Sequence, residues 1–401
     1  MLGYLEILRK HDLKFFVSFS FVRGGSTLDR RHFKNLDFVL ITVVGLLVFI
    51  GLIMIYSATH ANIALNHGDP FSFVKRQFGA VIIGVLAMIF LLFFDYRVSD
   101  RLSQFLYGLN IIILALVLTP LGRSGNGAQS WVFGVQPSEI AKVILIVTLG
   151  KYLAEKESLS SFYNFIWPFV HVGFPLLLIL LQPDLGTALV FIFITFTMMY
   201  TAGASGWKLM VLVLIGLMGL TGMFLGHHFF NMPLPIKHYQ VNRLTSFINP
   251  ERDPQGSGWN VRQAVIAVGS GQFFGKGLFR GTQGRLGYLP ENHTDFIFAV
   301  LCEELGFVGG FGVLCLFFTL IWRGIRISYQ ARDKTGTIMG VGIVSMFLFH
   351  ILENVGMNMG IMPITGIPLP FITSGGSSMI ANLIAIGILI NIWARRQKIM
   401  F

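Results

Sequence analysis

The sequence of residues 37–58, DFVLITVVGLLVFIGLIMIYSA, decides the fold class. After Asp37 it contains no charged side chain, and nearly every position is aliphatic or aromatic. An α-helix rises about 1.5 Å per residue, so about 20 apolar residues are enough to cross the hydrocarbon core of a bilayer. This stretch therefore predicts a transmembrane helix.

The same pattern recurs along the chain and predicts an all-α polytopic membrane protein. The 401 residues are 54% hydrophobic and only 12% charged, whereas soluble domains carry about 25% charged residues. The apolar runs are continuous rather than alternating, which excludes a transmembrane β-barrel. We predict about ten transmembrane helices, at 37–58, 77–95, 103–120, 138–153, 163–181, 185–201, 207–226, 295–322, 337–360 and 377–394.

Positive charges predict the side of the membrane on which each loop lies. Lys and Arg concentrate in a basic N-terminal arm, residues 1–36, and in every second loop of the membrane domain, residues 37–398. Because cytoplasmic loops are enriched in Lys and Arg, the arm and both termini are predicted to be cytoplasmic. Segment 227–294, between the seventh and eighth helices, is then a large extracellular or interfacial loop. This asymmetry explains the net charge of +11 without nucleic-acid binding.

The predicted outer loop has cations of its own, among them Arg243, Arg262 and Lys276. A cationic rim on an outer cavity predicts an anionic ligand. Binding of anionic lipid headgroups is the alternative explanation.

A carboxylate stands at the start of the predicted eighth helix, in the run PENHTDFIF of residues 290–298. Ionisable groups at the edge of a bilayer are costly and usually mark a site or a pathway, so Asp295 is a candidate functional residue. Its alternative role is to cap the first turn of the helix. The neighbouring His293 is expected to be a hydrogen-bonding partner rather than a metal ligand.

A second polar cluster, QPSEIAK, opens the predicted fourth helix at residues 136–142. Glu139 and Lys142 are three residues apart and therefore share one face of the helix. The pair is either a functional site or an ion pair that only stabilises a capped helix, and its position just inside the membrane favours a function.

Two more polar clusters lie on the predicted outer side. In QPDLGT, residues 182–187, Asp184 is expected to be a helix cap first and a ligand second. Prolines, glycines and serines dominate residues 363–378, which predicts an extended loop before the last helix. The chain contains no phosphate-binding loop, dinucleotide fingerprint or zinc-ligand spacing.

Together and in this order, these clusters resemble the shape, elongation, division and sporulation (SEDS) family of membrane peptidoglycan glycosyltransferases. The resemblance covers about residues 36–398. Within the family, GIPLP at residues 366–370 is most similar to the elongation members, since division members usually have Thr where this chain has Pro368. The motifs that carry the resemblance are QPSEIAK (136–142), QPDLGT (182–187), GWNVRQA (258–264), HTDFIF (293–298) and GGSS (375–378).

Two features depart from the pattern of the family. Thr373 and Ser374 stand where the family usually has Ser and Tyr, so an aromatic ring is missing from this loop. The N-terminal arm is also longer than the family leads us to expect, and no role is assigned to it.

The resemblance implies that the protein polymerises lipid II, a disaccharide-pentapeptide on undecaprenyl pyrophosphate, during cell elongation and rod-shape maintenance. It also implies the bacterial cytoplasmic (inner) membrane, with the active site on the external face. It assigns the central catalytic role to Asp295, whose natural chemistry is that of a general base.

The resemblance also suggests residues that bind the substrate. Lys142, oriented by Glu139, is a candidate for binding the pyrophosphate or the acceptor. No cofactor is certain, and a divalent cation, Mg²⁺ or Mn²⁺, held by Asp295 and the leaving group remains an alternative with no other ligand assigned. The weaker substrate-binding candidates are Asp184, Arg243, Arg262, Gln263, Lys276, His293 and Thr294.

Two alternatives for the function stay open, namely a lipid II flippase or transporter and a division-type polymerase. The polar clusters gather on one side and no inverted repeat of broken helices is evident, which favours a polymerase over a transporter.

The expected partners are a class B penicillin-binding transpeptidase, other membrane proteins of the elongation complex and membrane lipids. Small residues let helices approach closely in lipid. The glycines of two predicted spans either dock the transpeptidase or pack spans of this chain together; they are Gly306, Gly309, Gly310 and Gly312, and Gly340, Gly342 and Gly356.

Overall fold

The computed structural model describes residues 36–396 apart from 66–68, 126–127, 160 and most of 231–255, where only residues 243, 245–247, 249 and 253 are described. The predicted basic arm therefore lies almost wholly outside the described residues, as does much of the first part of the predicted outer loop.

Each predicted span coincides with an α-helix. This agreement follows from continuous apolar runs bounded by polar, proline or glycine residues. In chain order the helices are α1 (Phe38–Leu65), α2 (Ser72–Leu92), α3 (Ser99–Val117), α4 (Pro137–Ala154), α5 (Phe162–Leu181), α6 (Leu185–Thr201), α7 (Gly206–Phe230), α8 (Ser257–Ser270), α9 (Thr282–Arg285), α10 (Ile297–Tyr329), α11 (Lys334–Asn358) and α12 (Gly376–Ala394).

The helices confirm an integral membrane protein. Within the described part of the chain, seven are long and apolar enough to cross a membrane, namely α1, α2, α5, α7, α10, α11 and α12. Helices α3 and α6 contain shorter apolar stretches, and α4 carries Glu139, Lys142 and Lys151 in its 18 residues. The number of membrane crossings and the side of each loop therefore remain predictions.

Helix α12 forms the centre of the bundle. Of its apolar stretch, 83% is buried, compared with 6% in the peripheral helix α7. It packs against α2, α4, α10 and α11. Gly84 of α2 allows the closest approach, because a Cβ atom there would lie 2.5 Å from the side chain of Leu383.

Asp37 and Arg323 form a buried ion pair near the C-terminal end of α10. Asp37, the one charge in the opening apolar stretch, accepts a hydrogen bond from Arg323 at 2.5 Å. Its other carboxylate oxygen accepts from the backbone N–H of Leu40 at 3.0 Å and so caps α1. The Arg323 guanidinium also lies 5.6 Å from the ring centroid of Trp393.

A small β-hairpin was not predicted from the sequence. Strands β1 (Gly122–Gly125) and β2 (Ala128–Val132) pair antiparallel, with a bulge after Arg123. The strands are too short and too rich in glycine to show the alternation that identifies a strand.

Helix α10 is broken at Gly306, whose φ of 67° and ψ of −165° only glycine adopts readily. The break frees backbone groups, and irregular backbone at membrane depth needs partners for them. The loop after α8 supplies these partners: Gln272 O accepts from Phe307 N (2.9 Å), Glu303 O accepts from Lys276 N (3.0 Å) and Glu304 O accepts from Gly277 N (3.0 Å).

The glycines of α10 and α11 mostly pack this chain together rather than form an open docking face. A Cβ atom at Gly340 would lie 2.4 Å from Ser328 Oγ, and one at Gly342 would lie 2.8 Å from Met198 Sδ. Among the glycines considered above, only Gly312 faces open space. Of the two alternatives, packing within the chain is therefore favoured at Gly340, Gly342 and Gly356, and docking of the transpeptidase at these helices stays a prediction.

Candidate active site

An open cavity of about 360 Å³ lies where α4, α6, α10 and α12 begin. Its wall includes Gln136, Asp184 and Gly375, which are the N-cap residues of α4, α6 and α12. It also includes Asp295, which lies one residue before the N-cap of α10. Each helix N-terminus carries a partial positive charge of about half an elementary charge. Four such ends around one cavity favour an anionic ligand.

The cavity unites the four polar clusters that the sequence singles out. Gln136, Asp184, Thr294 and Asp295 represent the first three of them, and the loop of residues 363–378 contributes most of the remaining wall. Residues far apart in the sequence therefore form one polar site at one end of the helix bundle.

Two buried amides fix the backbone at Asp295. The Asp295 carbonyl oxygen accepts from Asn354 Nδ2 at 3.1 Å and from Asn358 Nδ2 at 3.0 Å. Both asparagines are fully buried and lie one turn apart on α11. Asn358 Oδ1 also accepts from the backbone N–H of Ala299 at 3.1 Å, which satisfies a donor in the first turn of α10.

The Asp295 side chain shares its surroundings with Arg243. A Cβ atom at Gly366 would lie 3.5 Å from Asp295 Oδ2 and 3.8 Å from Arg243 Nη1, so both groups border this glycine. Gly366 has a φ of 78°, which favours glycine. Arg243 Nη1 also donates to the carbonyl oxygen of Thr365 at 3.3 Å, which ties the cation to the wall of the cavity.

Burial raises the pKa of the Asp295 carboxyl from 3.8 to about 6. The negative charge of Glu291 also raises this pKa, and the positive charge of Arg243 lowers it. A carboxylate with a pKa near 6 is a stronger base than an ordinary aspartate and is still ionised at neutral pH.

The loop before α12 is tied to the segment that carries Asp295. Thr373 Oγ1 donates to the carbonyl oxygen of Thr294 at 3.2 Å, and Ser374 N donates to that of His293 at 3.0 Å. Gln77 of α2 donates to the Thr373 carbonyl oxygen at 3.2 Å. The family usually has serine at position 373, and a serine hydroxyl could make the same hydrogen bond to the Thr294 carbonyl oxygen. The replacement of Ser by Thr at this position therefore keeps the contact.

The side chains beside Asp295 play different parts. Thr294 lines the cavity, and its hydroxyl donates to Glu291 Oε2 at 2.9 Å. His293 packs edge-on against Phe73 with their ring centroids 4.7 Å apart, and burial lowers its pKa. Asp184 lines the cavity and also caps α6, because its Oδ1 accepts from Thr187 N at 3.0 Å.

Glu139 and Lys142 form a buried ion pair that does not line the described cavity. Lys142 Nζ lies 2.9 Å from Glu139 Oε1 and 3.1 Å from His350 Nε2. Both side chains of the pair are only 2% exposed, and His350 is fully buried. The contact of Lys142 with substrate therefore stays a prediction, and the geometry favours a structural role.

Three other candidates lie away from the wall of the cavity. Arg262 is exposed on α8, whereas Gln263 is buried on the same helix. Lys276 Nζ lies 2.5 Å from Glu303 Oε1, so its charge holds the loop against the break in α10. Substrate contacts of these three side chains also stay predictions.

The sequence interpretation missed several residues of the site. Glu291, Ser130 and Trp131 line the cavity. Asn354 and Asn358 are polar residues four apart on a mostly apolar helix, a signal that marks functional positions in membrane helices.

Among the residues that the structure describes, no group of three His, Cys, Asp or Glu side chains is arranged to hold a metal ion. Asp295 and Glu291 both line the cavity and carry the oxygen ligands that Mg²⁺ and Mn²⁺ prefer. Two carboxylates would suit a cation that takes its remaining ligands from bound phosphate. The divalent cation therefore stays a hypothesis that these residues are compatible with.

Replacing Asn358 by Ala is expected to lower kcat about tenfold or more. The change removes one of the two amide donors to the Asp295 carbonyl oxygen and one of the two acceptors of the Ala299 N–H, which keeps its bond to Phe296 O. Small misplacements of the proposed catalytic group are costly. The measurement is kcat per folded protein in a glycan polymerisation assay, with a melting curve for each variant.

Asn391→Ala is the matched control, because this buried asparagine donates to Leu91 O at 2.6 Å and Phe94 O at 2.7 Å, away from the cavity. Equal losses of kcat in both variants at equal stability would reject a positioning role for Asn358.

Proteins of similar sequence are named for sporulation or for peptidoglycan synthesis. Stage V sporulation protein E of Bacillus subtilis is 42% identical over 363 residues, which are 89% of this chain and 96% of that protein. A probable peptidoglycan glycosyltransferase FtsW of Trichlorobacter lovleyi is 36% identical over 370 residues, covering 89% of this chain and 93% of that protein. Peptidoglycan glycosyltransferase MrdB of Escherichia coli is 33% identical over 368 residues, covering 90% and 94%.

Solved structures have the same fold. A chain from a peptidoglycan synthase complex, studied for the structural coordination of polymerization and crosslinking, matches with a TM-score of 0.73 and 30% identity over 90% of this chain and 98% of that chain. The rod shape determining protein RodA of Thermus thermophilus matches with a TM-score of 0.66 and 29% identity, again over 90% and 98%.

The family model for FtsW, RodA and SpoVE cell cycle proteins matches residues 37–398. This range coincides with the membrane domain predicted from the sequence, and the resemblance to the SEDS family is confirmed. The chain therefore belongs to the FtsW/RodA/SpoVE family of integral membrane proteins.

Proposed function

We propose that the protein is a peptidoglycan glycosyltransferase that polymerises lipid II into glycan strands. The observation that carries this proposal is a carboxylate of raised pKa in an open cavity at the N-termini of four helices. Peptidoglycan glycosyltransferases among its relatives support the reaction class.

Glycosyl transfer to a sugar hydroxyl needs a base and a site for the leaving pyrophosphate. The oxygen of the attacking sugar hydroxyl bonds to the anomeric carbon, and Asp295 takes the proton from that hydroxyl. The bond from that carbon to the lipid pyrophosphate breaks, and its electron pair leaves with the pyrophosphate. Arg243 and the surrounding helix N-termini stabilise this departing negative charge.

The reaction is tested with purified protein and labelled lipid II, followed by a gel that separates glycans by length. A ladder of long products supports the polymerase. Unchanged lipid II at all enzyme concentrations, with the protein folded, would reject it.

The raised pKa of Asp295 predicts an acid limb in the pH profile. Only the ionised carboxylate accepts a proton, so kcat/KM should fall about tenfold per pH unit below pH 6 and level off above it. Glu291→Gln removes a charge that raises this pKa, so the limb should move to lower pH. Arg243→Gln removes a charge that lowers it, so the limb should move to higher pH.

The midpoint of the limb is the measurement for both variants, because it is independent of how much each change slows the reaction. Shifts of the same sign in the two variants, or no shift in either, would contradict the assignment of the limb to Asp295.

Cell elongation is the proposed role within the family. The run GIPLP at residues 366–370 supports it, since Pro368 stands where division members usually have Thr. Relatives named for sporulation and FtsW proteins are also similar in sequence, so a division role is equally compatible with the comparisons. Depletion in the source cells separates the roles, because loss of an elongation enzyme rounds cells and loss of a division enzyme produces filaments.

The proposed partner is a class B penicillin-binding transpeptidase, together with other membrane proteins of the elongation complex. The similar chain from a synthase complex that couples polymerization to crosslinking supports this partnership. Copurification from solubilised membranes tests it, and a transpeptidase that fails to copurify under conditions that retain other membrane complexes would oppose it.

The proposed setting is the bacterial cytoplasmic membrane, with both termini in the cytoplasm and the cavity on the external face. The asymmetric distribution of Lys and Arg supports this orientation. The corresponding test introduces a cysteine at Phe133, next to the cavity wall, into a variant whose own Cys302 and Cys315 are replaced by Ser. The cysteine is then labelled with a reagent that cannot cross the membrane.

A further inference from the structure

The β-hairpin brings an indole ring to the wall of the cavity. Trp131 lines the cavity and keeps 37% of its surface exposed, whereas the neighbouring Ser130 is buried. Several other aromatic side chains of this protein are more exposed, but Trp131 lies in the wall of the cavity. Its exposed surface is therefore available to a ligand bound there.

Hydrogen bonds fix the main chain around Trp131. Trp131 pairs with Arg123 across the hairpin. A tight turn follows, in which Val132 and Val135 exchange two hydrogen bonds of 2.9 Å each. The next residue, Gln136, donates its N–H to Ser377 Oγ at 2.9 Å, which joins the hairpin to the start of α12.

The rest of the wall has the groups that recognise a sugar. The hydroxyl-bearing residues Thr373, Ser374, Ser377 and Ser378 line the same cavity as Trp131. One face of a pyranose ring presents C–H bonds of slight positive charge, which pack on the negative face of an aromatic ring. The hydroxyls at the edge of the sugar exchange hydrogen bonds with protein hydroxyls, which both donate and accept.

We propose that Trp131 is a stacking platform for a pyranose ring of the lipid-linked disaccharide, and that the hydroxyls of residues 373–378 complete this carbohydrate subsite. The inference rests on the proposed function and assigns the sugar to the hairpin side of the site. Arg243 and the N-termini of α4, α6 and α10 serve the pyrophosphate, so the two chemical parts of the substrate are bound by different groups of residues.

Two ligands separate the subsite from the rest of the cavity: lipid II, which carries the disaccharide, and undecaprenyl pyrophosphate, which lacks it. Trp131→Leu removes the aromatic face and keeps an apolar side chain, whereas Trp131→Phe retains a smaller aromatic face. The control is Phe133→Leu, because Phe133 lies two residues further along, is 83% exposed and does not belong to the cavity wall.

Trp131→Leu is expected to weaken lipid II binding and to raise its KM about tenfold. Trp131→Phe should stay within about threefold of wild type, because the aromatic face is retained. Affinity for undecaprenyl pyrophosphate should be unchanged in both variants, and Phe133→Leu should leave both affinities unchanged. Melting curves establish that each variant is folded.

Unchanged lipid II binding in Trp131→Leu would overturn the subsite. Equal weakening of both ligands would also overturn it, because the ring would then serve the fold or the membrane interface. A wild-type protein that binds neither ligand and makes no glycan would instead reject the proposed function, and the subsite with it.

Discussion

Asp295→Asn is expected to reduce glycan polymerisation by about 10²–10⁴-fold, the usual cost of losing a general base. The amide keeps the shape of the carboxylate and loses its basicity. The bonds from Asn354 and Asn358 reach the main-chain carbonyl of residue 295, so the substitution leaves them in place. The measurement is the rate of glycan synthesis by folded, purified variant.

Thr294→Val is a useful companion variant, because it removes a hydroxyl beside Asp295 that contacts Glu291 and leaves the proposed base intact. It should lose far less activity than Asp295→Asn. A turnover of Asp295→Asn above about a tenth of wild type would show that Asp295 is not the base.

Lys142→Ala is expected to lower the free energy of unfolding by about 3–5 kcal/mol, because it leaves the Glu139 carboxylate buried without its counter-charge. The double variant Lys142→Met with Glu139→Gln should regain most of this stability, since neutral side chains of similar size need no counter-charge. Thermal unfolding in detergent measures both effects.

The control for Lys142 is the pair of Lys151 and Glu155, in which the Lys151 side chain is 17% exposed. Its atoms lie 2.9 Å apart, but Glu155 is 59% exposed, so Lys151→Ala should change stability by no more than about 0.5 kcal/mol. From the geometry we expect the double variant to regain activity together with stability. Activity that stays low at restored stability would instead support the substrate contact predicted for Lys142 from the sequence.

The length and continuity of the apolar runs were sufficient to locate the long helices of the described chain. The same information was not sufficient for the break at Gly306, because the residues on both sides of it are apolar and the break depends on a loop from elsewhere in the chain. Within the predicted outer loop, residues Ser257–Ser270 form helix α8, and the loop that follows pairs with this break.

Four of the candidate residues chosen from the sequence lie together in the cavity wall, and their roles stay predictions. Asp295, Thr294, Asp184 and Arg243 all line the cavity, because each lies at or near a helix end or a loop on the same side of the bundle. Lys142 lies one turn inside α4, where it contacts His350 of α11. The spacing of residues along α4 revealed Glu139 as the partner of Lys142. It could not reveal His350, because that residue belongs to another helix.

The most direct test of the central claim uses proteoliposomes that contain only this protein and fluorescent lipid II, with polymer formation and transbilayer movement measured in the same vesicles. The account predicts that the wild-type protein makes glycan strands and that Asp295→Asn makes them at less than about a tenth of the wild-type rate. Movement of lipid II across the bilayer without any polymer, at equal rates in both proteins, would contradict it and support a flippase.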